Sequence, residues 1–210
     1  MNLLIIGGTG GIGKELVRQA LEQGHTVTAL ARNPAKIKAS HPNLNILKGN
    51  VLDYKSVEEA VKGQDAVLSA LGHKRFFVPS TVLSGGTVNM IQAMKHHRVK
   101  RFICITALGV GDSRFKLGLY YSVFLIPLML FFYFRDKGRQ EGLIKNSNLD
   151  WTIVRPAQLF NGKKRGKYRT GDRVGNYILT LLISRADVAH FMLSQLTDRS
   201  FLRKSPGIAW

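Results

Sequence analysis

Residues Asn2 to Gly13 read NLLIIGGTGGIG. Leu3, Leu4, Ile5 and Ile6 make an apolar run of the length expected for a strand buried on both faces. Five glycines over the next seven positions end it, and a helical pattern follows at once. Gly7, Gly10 and Gly13 stand at G-x-x-G-x-x-G spacing. In a strand, turn and helix, Gly7 permits the sharp exit from the strand and Gly10 lets backbone approach a pyrophosphate. Gly13 lets the new helix pack closely on the sheet. The N–H groups at the helix start, with the dipole behind them, then form an anion site. Glycine-rich turns are common, so the motif takes its weight from its place between strand and helix. The reading is nucleotide binding.

Outward from this loop, Ile12, Leu16, Val17, Ala20 and Leu21 recur at helical spacing up to Gly24. A strand follows over His25–Leu30, then an Asn33–Pro34 turn into a short helix through Lys38. Strands are expected at Leu44–Leu47, Asp65–Ala70 and Arg101–Ile105. Helices separate them, one capped by Asp53 and one running from Ser80 or Thr81 to His97. This alternation predicts βαβ units in an α/β fold, a Rossmann-like doubly wound parallel sheet with helices on both faces. The second half is less regular. It offers a helix over Asp136–Asn146, a strand over Trp151–Val154 and a basic loop or hairpin over Asn161–Asp172. A last helix is expected from about Arg185 to Leu196. No boundary divides residues 1–210, so a single domain is expected, with an apolar insert at about 113–135.

Lys and Arg number 31 against 13 Asp and Glu, a formal charge of +18. The basic residues are scattered and accompany no helix-turn-helix, zinc-finger or stacking-aromatic motif, which argues against sequence-specific nucleic-acid binding. An anionic cofactor or an anionic membrane surface remain as partners. Cys104 is the only cysteine, so neither a disulfide framework nor a cysteine metal site can form within the chain. Met1 leads straight into the first strand without a basic leader. The expected location is cytoplasmic, with peripheral membrane contact left open.

The second strand ends at Arg32, with Lys36 one helical turn on, where a dinucleotide site commonly holds an acid on the ribose. A guanidinium matches a 2′-phosphate, which favours NADP(H) over NAD(H). The alternative is a surface cation on a basic chain. Asn50 and Val51 follow the third strand, and Leu71 and Gly72 the fourth. They fall on one rim, as the crevice rule for open α/β sheets requires.

Together the stretches LLIIGGTGGIG, VTALARNPAKI, LKGNVLD, VKGQDAVLSALG, TVLSGGTVNMIQAMK, LDWTIVRPAQL and ISRADVAHFMLSQLT carry a family likeness over most of Met1 to Thr197. The chain resembles an atypical short-chain dehydrogenase/reductase of the NAD(P)H-binding, NmrA-like type, nearest the flavin reductase/biliverdin reductase B-like group. The resemblance implies NADPH across the strand ends and a small pocket over the nicotinamide. It places Thr9, Gly10, Gly11, Ile12, Gly13, Arg32, Lys36, Asn50, Val51, Leu71, Gly72 and Pro156 along the cofactor, with Thr106 in the region of the superfamily's catalytic Ser or Thr. Two positions depart from the group: Ala107 stands where it places a serine, and Ala157 where it places a histidine.

Tyr133 and Lys137 form a Tyr-x-x-x-Lys, whose spacing puts both side chains on one helical face. In the wider superfamily such a tyrosine moves a proton and the lysine lowers its pKa. Thr106, Tyr133 and Lys137 are therefore the catalytic candidates, with Lys137 acting alone as one variant. Against them stands a plain helix start, with Asp136 as its cap and Lys137–Glu141 as an exposed i, i+4 pair.

Leu117–Phe134 (LGLYYSVFLIPLMLFFYF) carries no charge and approaches the length of a membrane span. Pro127 interrupts it, and a span would separate two strands of one sheet. The readings are a lid over the substrate pocket, an interfacial helix flanked by Arg114, Lys116, Arg135, Lys137 and Arg139, or, last, a span. His73 is read as a solvated loop residue or a cofactor contact, His96 and His97 as helix-end cations, and His190 as structural. No metal site is expected.

The function expected is NADPH-dependent reduction of a small-molecule acceptor by direct hydride transfer. That acceptor would be FMN or another flavin, a quinone, or a similar flat lipophilic molecule. The alternative is a non-catalytic NADP(H)-binding redox-sensing regulator or assembly factor. Oligomeric state is not legible.

Overall fold

All four apolar residues of β1 (Asn2–Ile6) are buried, because helices cover both faces of the strand. In the computed structural model, which describes residues 1–73 and 76–210, Leu3 and Ile5 join one core with α1 (Gly11–Glu22). Leu4 and Ile6 join a second core on the opposite face, with α2 (Tyr54–Val61) and α3 (Val82–His96). The strand period of two thus sorts alternate residues onto two layers of helices.

The sheet is completed by β2 (Thr26–Ala31), β3 (Leu44–Lys48), β4 (Ala66–Ser69), β5 (Arg101–Ile105) and β6 (Asp150–Pro156). Its order over these strands is β3-β2-β1-β4-β5-β6, all parallel. This is a Rossmann-like fold, with its switch point between β1 and β4.

The second half holds more than the sequence signals predict. Phe131 starts a continuous helix through Lys145 rather than one beginning at Asp136. Before it come a 3-10 turn at Gly111–Ser113, a π turn at Tyr121–Leu125 and the single turn α4 (Ile126–Leu128), which holds Pro127. The helix Phe131–Lys145 is α5, so the insert ends near residue 130. The stretch 161–172, expected as a loop or hairpin, contains a strand over Arg169–Gly171.

Besides that strand, three were not expected. β7 (Gln158–Phe160) and β9 (Leu182–Ser184) form a separate parallel pair. β8 (Arg169–Gly171) and β10 (Gly207–Ala209) extend the main sheet, with β10 parallel to β6 and antiparallel to β8. Helix α6 (Arg185–Ser194) follows β9 and packs beside α1, where Gln19 Nε2 donates to the Ala186 carbonyl at 3.0 Å. Ser184 caps α6, accepting from Asp187 N–H at 3.0 Å. Asp187 is fully buried and also accepts from the N–H groups of Arg165 and Gly166 and from Trp210 Nε1. That aspartate pins the basic loop to the helix start.

Among the described residues no helix is long and apolar enough to cross a membrane.

Candidate functional site

Parallel strands put their carboxyl ends on one rim, and the residues read from sequence gather there. Gly7 leaves β1 at φ +84°, and a Cβ on it would stand 2.5 Å from the Ala70 carbonyl oxygen. A Cβ on Gly13 would stand 2.0 Å from the Gly7 carbonyl oxygen, so the helix can approach the strand exit only as glycine. Between them, Gly10 and Gly11 are exposed, Thr9 is half-buried and Ile12 is buried in the core. Gly10 is the cap residue of α1 and brings no side-chain hydrogen bond to it, and the first turn has no acidic residue. The first N–H groups of a helix lack acceptors within it, so this end faces outward as an anion cradle.

Beyond β2, Arg32 and Lys36 are both exposed. Asn50 turns the chain after β3, its Oδ1 accepting from Leu52 N–H at 3.2 Å. Val51 is buried, held by Asn89 Nδ2 donating to its carbonyl at 3.0 Å, and both it and Leu71 pack against Gly86 of α3. Gly72 is exposed, and a Cβ on it would lie 3.5 Å from the Tyr133 hydroxyl. Pro156 ends β6, its carbonyl accepting from Leu108 N–H at 3.0 Å.

A nicotinamide dinucleotide fits this arrangement. The glycine loop leaves an uncapped helix start open to an anion, and Arg32 and Lys36 are exposed cations past the end of the neighbouring strand β2. One neighbour was not predicted: the Arg185 side chain lies across Gly11, where a Cβ would come within 2.5 Å of its Cδ. Arg185 also donates to Asn161 Oδ1 at 2.9 Å.

Tyr133 and Lys137 share α5, and the Lys137 ammonium sits 5.0 Å from the Tyr133 ring centre. Lys137 is buried and donates to the Thr106 carbonyl at 3.0 Å. The Thr106 hydroxyl donates to Glu141 Oε1 at 2.7 Å. Glu141 also receives Arg155, through Nε at 3.0 Å and Nη2 at 2.6 Å, and Arg155 reaches Asp112 with both terminal nitrogens. Burial works against the charge of Arg155, but Glu141 and Asp112 more than offset it and raise its pKa above the ordinary value. The Arg155 hydrogen bonds in turn hold the Asp112 carboxyl down at about 2.

These contacts overturn the helix-start reading of Asp136, Lys137 and Glu141. All three are buried, so Lys137–Glu141 is not an exposed pair. Asp136 caps a different helix, accepting from Leu83 N–H at 2.9 Å, Ser84 N–H at 3.3 Å and the Ser84 hydroxyl. Thr81, the cap residue of α3, brings no side-chain hydrogen bond, and Asp136 fills that role from across the helix pair. His73 is not a solvated loop residue either. It is half-buried, with its ring edge-on to Tyr133 at 4.9 Å.

Sequence reasoning passed over the Arg155–Glu141–Asp112 network. The signal was present: an arginine inside a continuously buried strand requires a buried partner. His190 takes a packing role, with Nδ1 2.7 Å from the Tyr168 hydroxyl. No metal site was expected, yet among the described residues Glu58, His96 and His97 bring one ligand atom each within 4.8 Å of one another. They stand by the end of α3 that leads into β5, on the rim opposite the crevice.

Residues 7–199 match the NAD(P)H-binding family model. A Rossmann-fold NAD(P)-binding family protein from Shigella flexneri is 30% identical, with a TM-score of 0.74 over 99% of this chain and 92% of that one. The photosystem II assembly factor Ycf39 of Synechocystis is 29% identical over 77% of this chain and 46% of its own length. ChuY, an anaerobilin reductase from Escherichia coli O157:H7, shares the fold at a TM-score of 0.81 and 21% identity, over 100% of this chain and 97% of that one. The chain spans about half the length of the first curated relatives it matches. With the glycine cradle, the switch-point crevice and a family match over nearly its whole length, the chain belongs to the NAD(P)H-binding family.

Proposed function

We propose that this chain is an NADPH-dependent reductase that passes hydride directly to a flat, lipophilic acceptor such as a flavin or a quinone. One observation carries the reading. The polar groups nearest the end of β5 are satisfied by one another, and what stands over the strand ends is aromatic. Thr106 gives its hydroxyl proton to Glu141, and Lys137 gives a proton to the Thr106 carbonyl. Above Gly72 stands Tyr133, its ring edge-on to Phe76 at 5.5 Å and to Phe134 at 6.3 Å. Bound NADPH supplies the hydride, and transfer between stacked rings needs orientation and a dry pocket more than an acid or base. Ala107 and Ala157, which replace a serine and a histidine of the resembled group, fit an acceptor that needs no proton donor there. Lys137 and Thr106 then act as positioning residues, and Arg32 and Lys36 select the phosphorylated dinucleotide.

Loss of NADPH absorbance on addition of FMN, riboflavin or a panel of quinones tests this. Turnover with any of them supports it, and Gly10→Asp, which puts a carboxylate in the phosphate cradle, should abolish that turnover. No turnover with the whole panel overturns it. A second reading draws on the likeness to Ycf39 and on the internal use of Thr106 and Lys137. It is a redox-sensing NADP(H)-binding regulator or assembly factor, and tight cofactor binding without turnover would select it.

A further inference from the structure

On the inner side, Ile126 of the insert and Phe134 of α5 pack toward Gly109. The outer side of the insert is exposed. Tyr120, Phe124 and Leu128 follow at helical intervals through the π turn and α4, and all are exposed, Leu128 to 76%. Beside them stands a second apolar projection. Asn176 Oδ1 accepts from Ile178 and Leu179 N–H, both at 2.8 Å, and this turn presents Tyr177, Ile178 and Leu179 outward. Ile178 is 74% exposed. The two are one surface: Leu119 N–H donates to the Ile178 carbonyl at 3.2 Å, and the Thr180 hydroxyl donates to the Leu117 carbonyl at 3.2 Å.

Cations predominate beside this surface. No Asp or Glu occurs from residue 113 to 135 or from 173 to 186, and Arg114, Arg135 and Arg173 are exposed there, against exposed Asp112 and Asp172 at the edges of those stretches. The +18 of the chain is also far more than the cofactor, with about four negative charges, can match. Exposed apolar and aromatic side chains on segments that also carry exposed arginines suit the boundary between headgroups and acyl chains. With no helix able to span among the described residues, the contact is interfacial.

We propose that this face is a membrane-docking site which seats the protein on a bilayer rich in anionic lipid. The π turn and α4 insert their exposed side chains beside the 177–179 projection, and the arginines pair with headgroups. The proposal stands independently of the reductase reading.

Vesicle sedimentation tests it. The chain should pellet with vesicles of phosphatidylcholine and phosphatidylglycerol at about three to one and stay in the supernatant with phosphatidylcholine alone. Salt at about 1 M, which shortens the Debye length to about 3 Å, should release it. A triple variant, Phe124→Ser, Leu128→Ser and Ile178→Ser, should weaken vesicle binding about tenfold or more while NADPH binding and circular dichroism stay unchanged. Arg114→Glu with Arg135→Glu and Arg173→Glu should abolish it. Failure of the parent chain to bind anionic vesicles overturns the proposal, as does undiminished binding by the triple variant. A parent dimer that the triple variant dissociates also overturns it, since a second copy would then be the occupant.

Discussion

Replacing Glu141 by alanine removes the acceptor on which three buried donors converge. The Glu141 and Arg155 side chains are 4% and 3% exposed, and the guanidinium grips both carboxylate oxygens. Without Glu141, Arg155 keeps only Asp112, whose side chain is 71% exposed and well solvated. Removing one partner of a buried ion pair destabilises by about 3–5 kcal/mol, because the remaining charge stays buried. The Thr106 hydroxyl also loses its acceptor, at about 1–3 kcal/mol, although the two penalties overlap. We expect a loss of about 4 kcal/mol, a large share of the roughly 5–15 kcal/mol that holds a domain folded. At about 2–4 °C per kcal/mol for a chain of this size, Tm should fall by about 8–16 °C. Urea denaturation followed by far-ultraviolet circular dichroism gives the free energy, and calorimetry gives Tm. The double variant Glu141→Met, Arg155→Met should recover most of the loss, since it leaves no charge buried. A drop below about 1 kcal/mol for Glu141→Ala, or a double variant no better than the single, would refute the buried-pair argument.

Three further outcomes are expected. Gly13→Ala should destabilise the chain by several times the ~1 kcal/mol of an ordinary helical change, because its Cβ meets the Gly7 carbonyl oxygen. Gly10 has φ −79°, and a Cβ on it would stand 3.3 Å from that oxygen, so it should accept alanine with little change in Tm while NADPH affinity, read by fluorescence titration, falls. The Asp112 carboxyl titrates at about 2 in the folded chain, below the 3.8 of a free aspartate. Its contribution is therefore complete above about pH 4 and fades as pH falls toward 2, and Asp112→Asn should flatten stability across that window. Burial pushes the Cys104 thiol up to about 12, so Ellman's reagent at pH 8 should modify it only as fast as the chain unfolds.

β1, β4 and β5 were legible because a strand buried on both faces reads as an apolar run, whereas β2 (TVTALA) and the half-exposed edge strand β3 (LNILK) were placed by alternation and by the turn residues around them. Their boundaries are set by local chemistry: Asp53 caps α2, and Gly24 and Gly63 turn the chain at positive φ. The rim on which the expected cofactor residues lie followed, since most of them stand at or shortly after a strand end. The start of α5 was not legible, because Leu130 carries no capping oxygen and Asp136, which has one, spends it on α3. The buried network was hidden by distance along the chain: Thr106 and Glu141 lie 35 positions apart, and Asp112 and Arg155 43. Short strands such as β10 and β7 carry too few residues to show a period.

The packing of α6 against α1 has a kinetic consequence. Leu3, Ile5, Ile103 and Ile105 share a core with Val188, Ala189 and Met192, so one face of the sheet is closed only when α6 arrives. About eighty residues separate the end of β5 from Arg185, and at about 5–20 residues per second their synthesis takes roughly 4–16 s. Throughout that interval a nascent sheet already paired from β3 to β5 would present an open apolar face. Such a chain should depend on a holding chaperone during translation more than its finished stability would suggest, and moving α6 ahead of β1 by circular permutation should relieve that dependence.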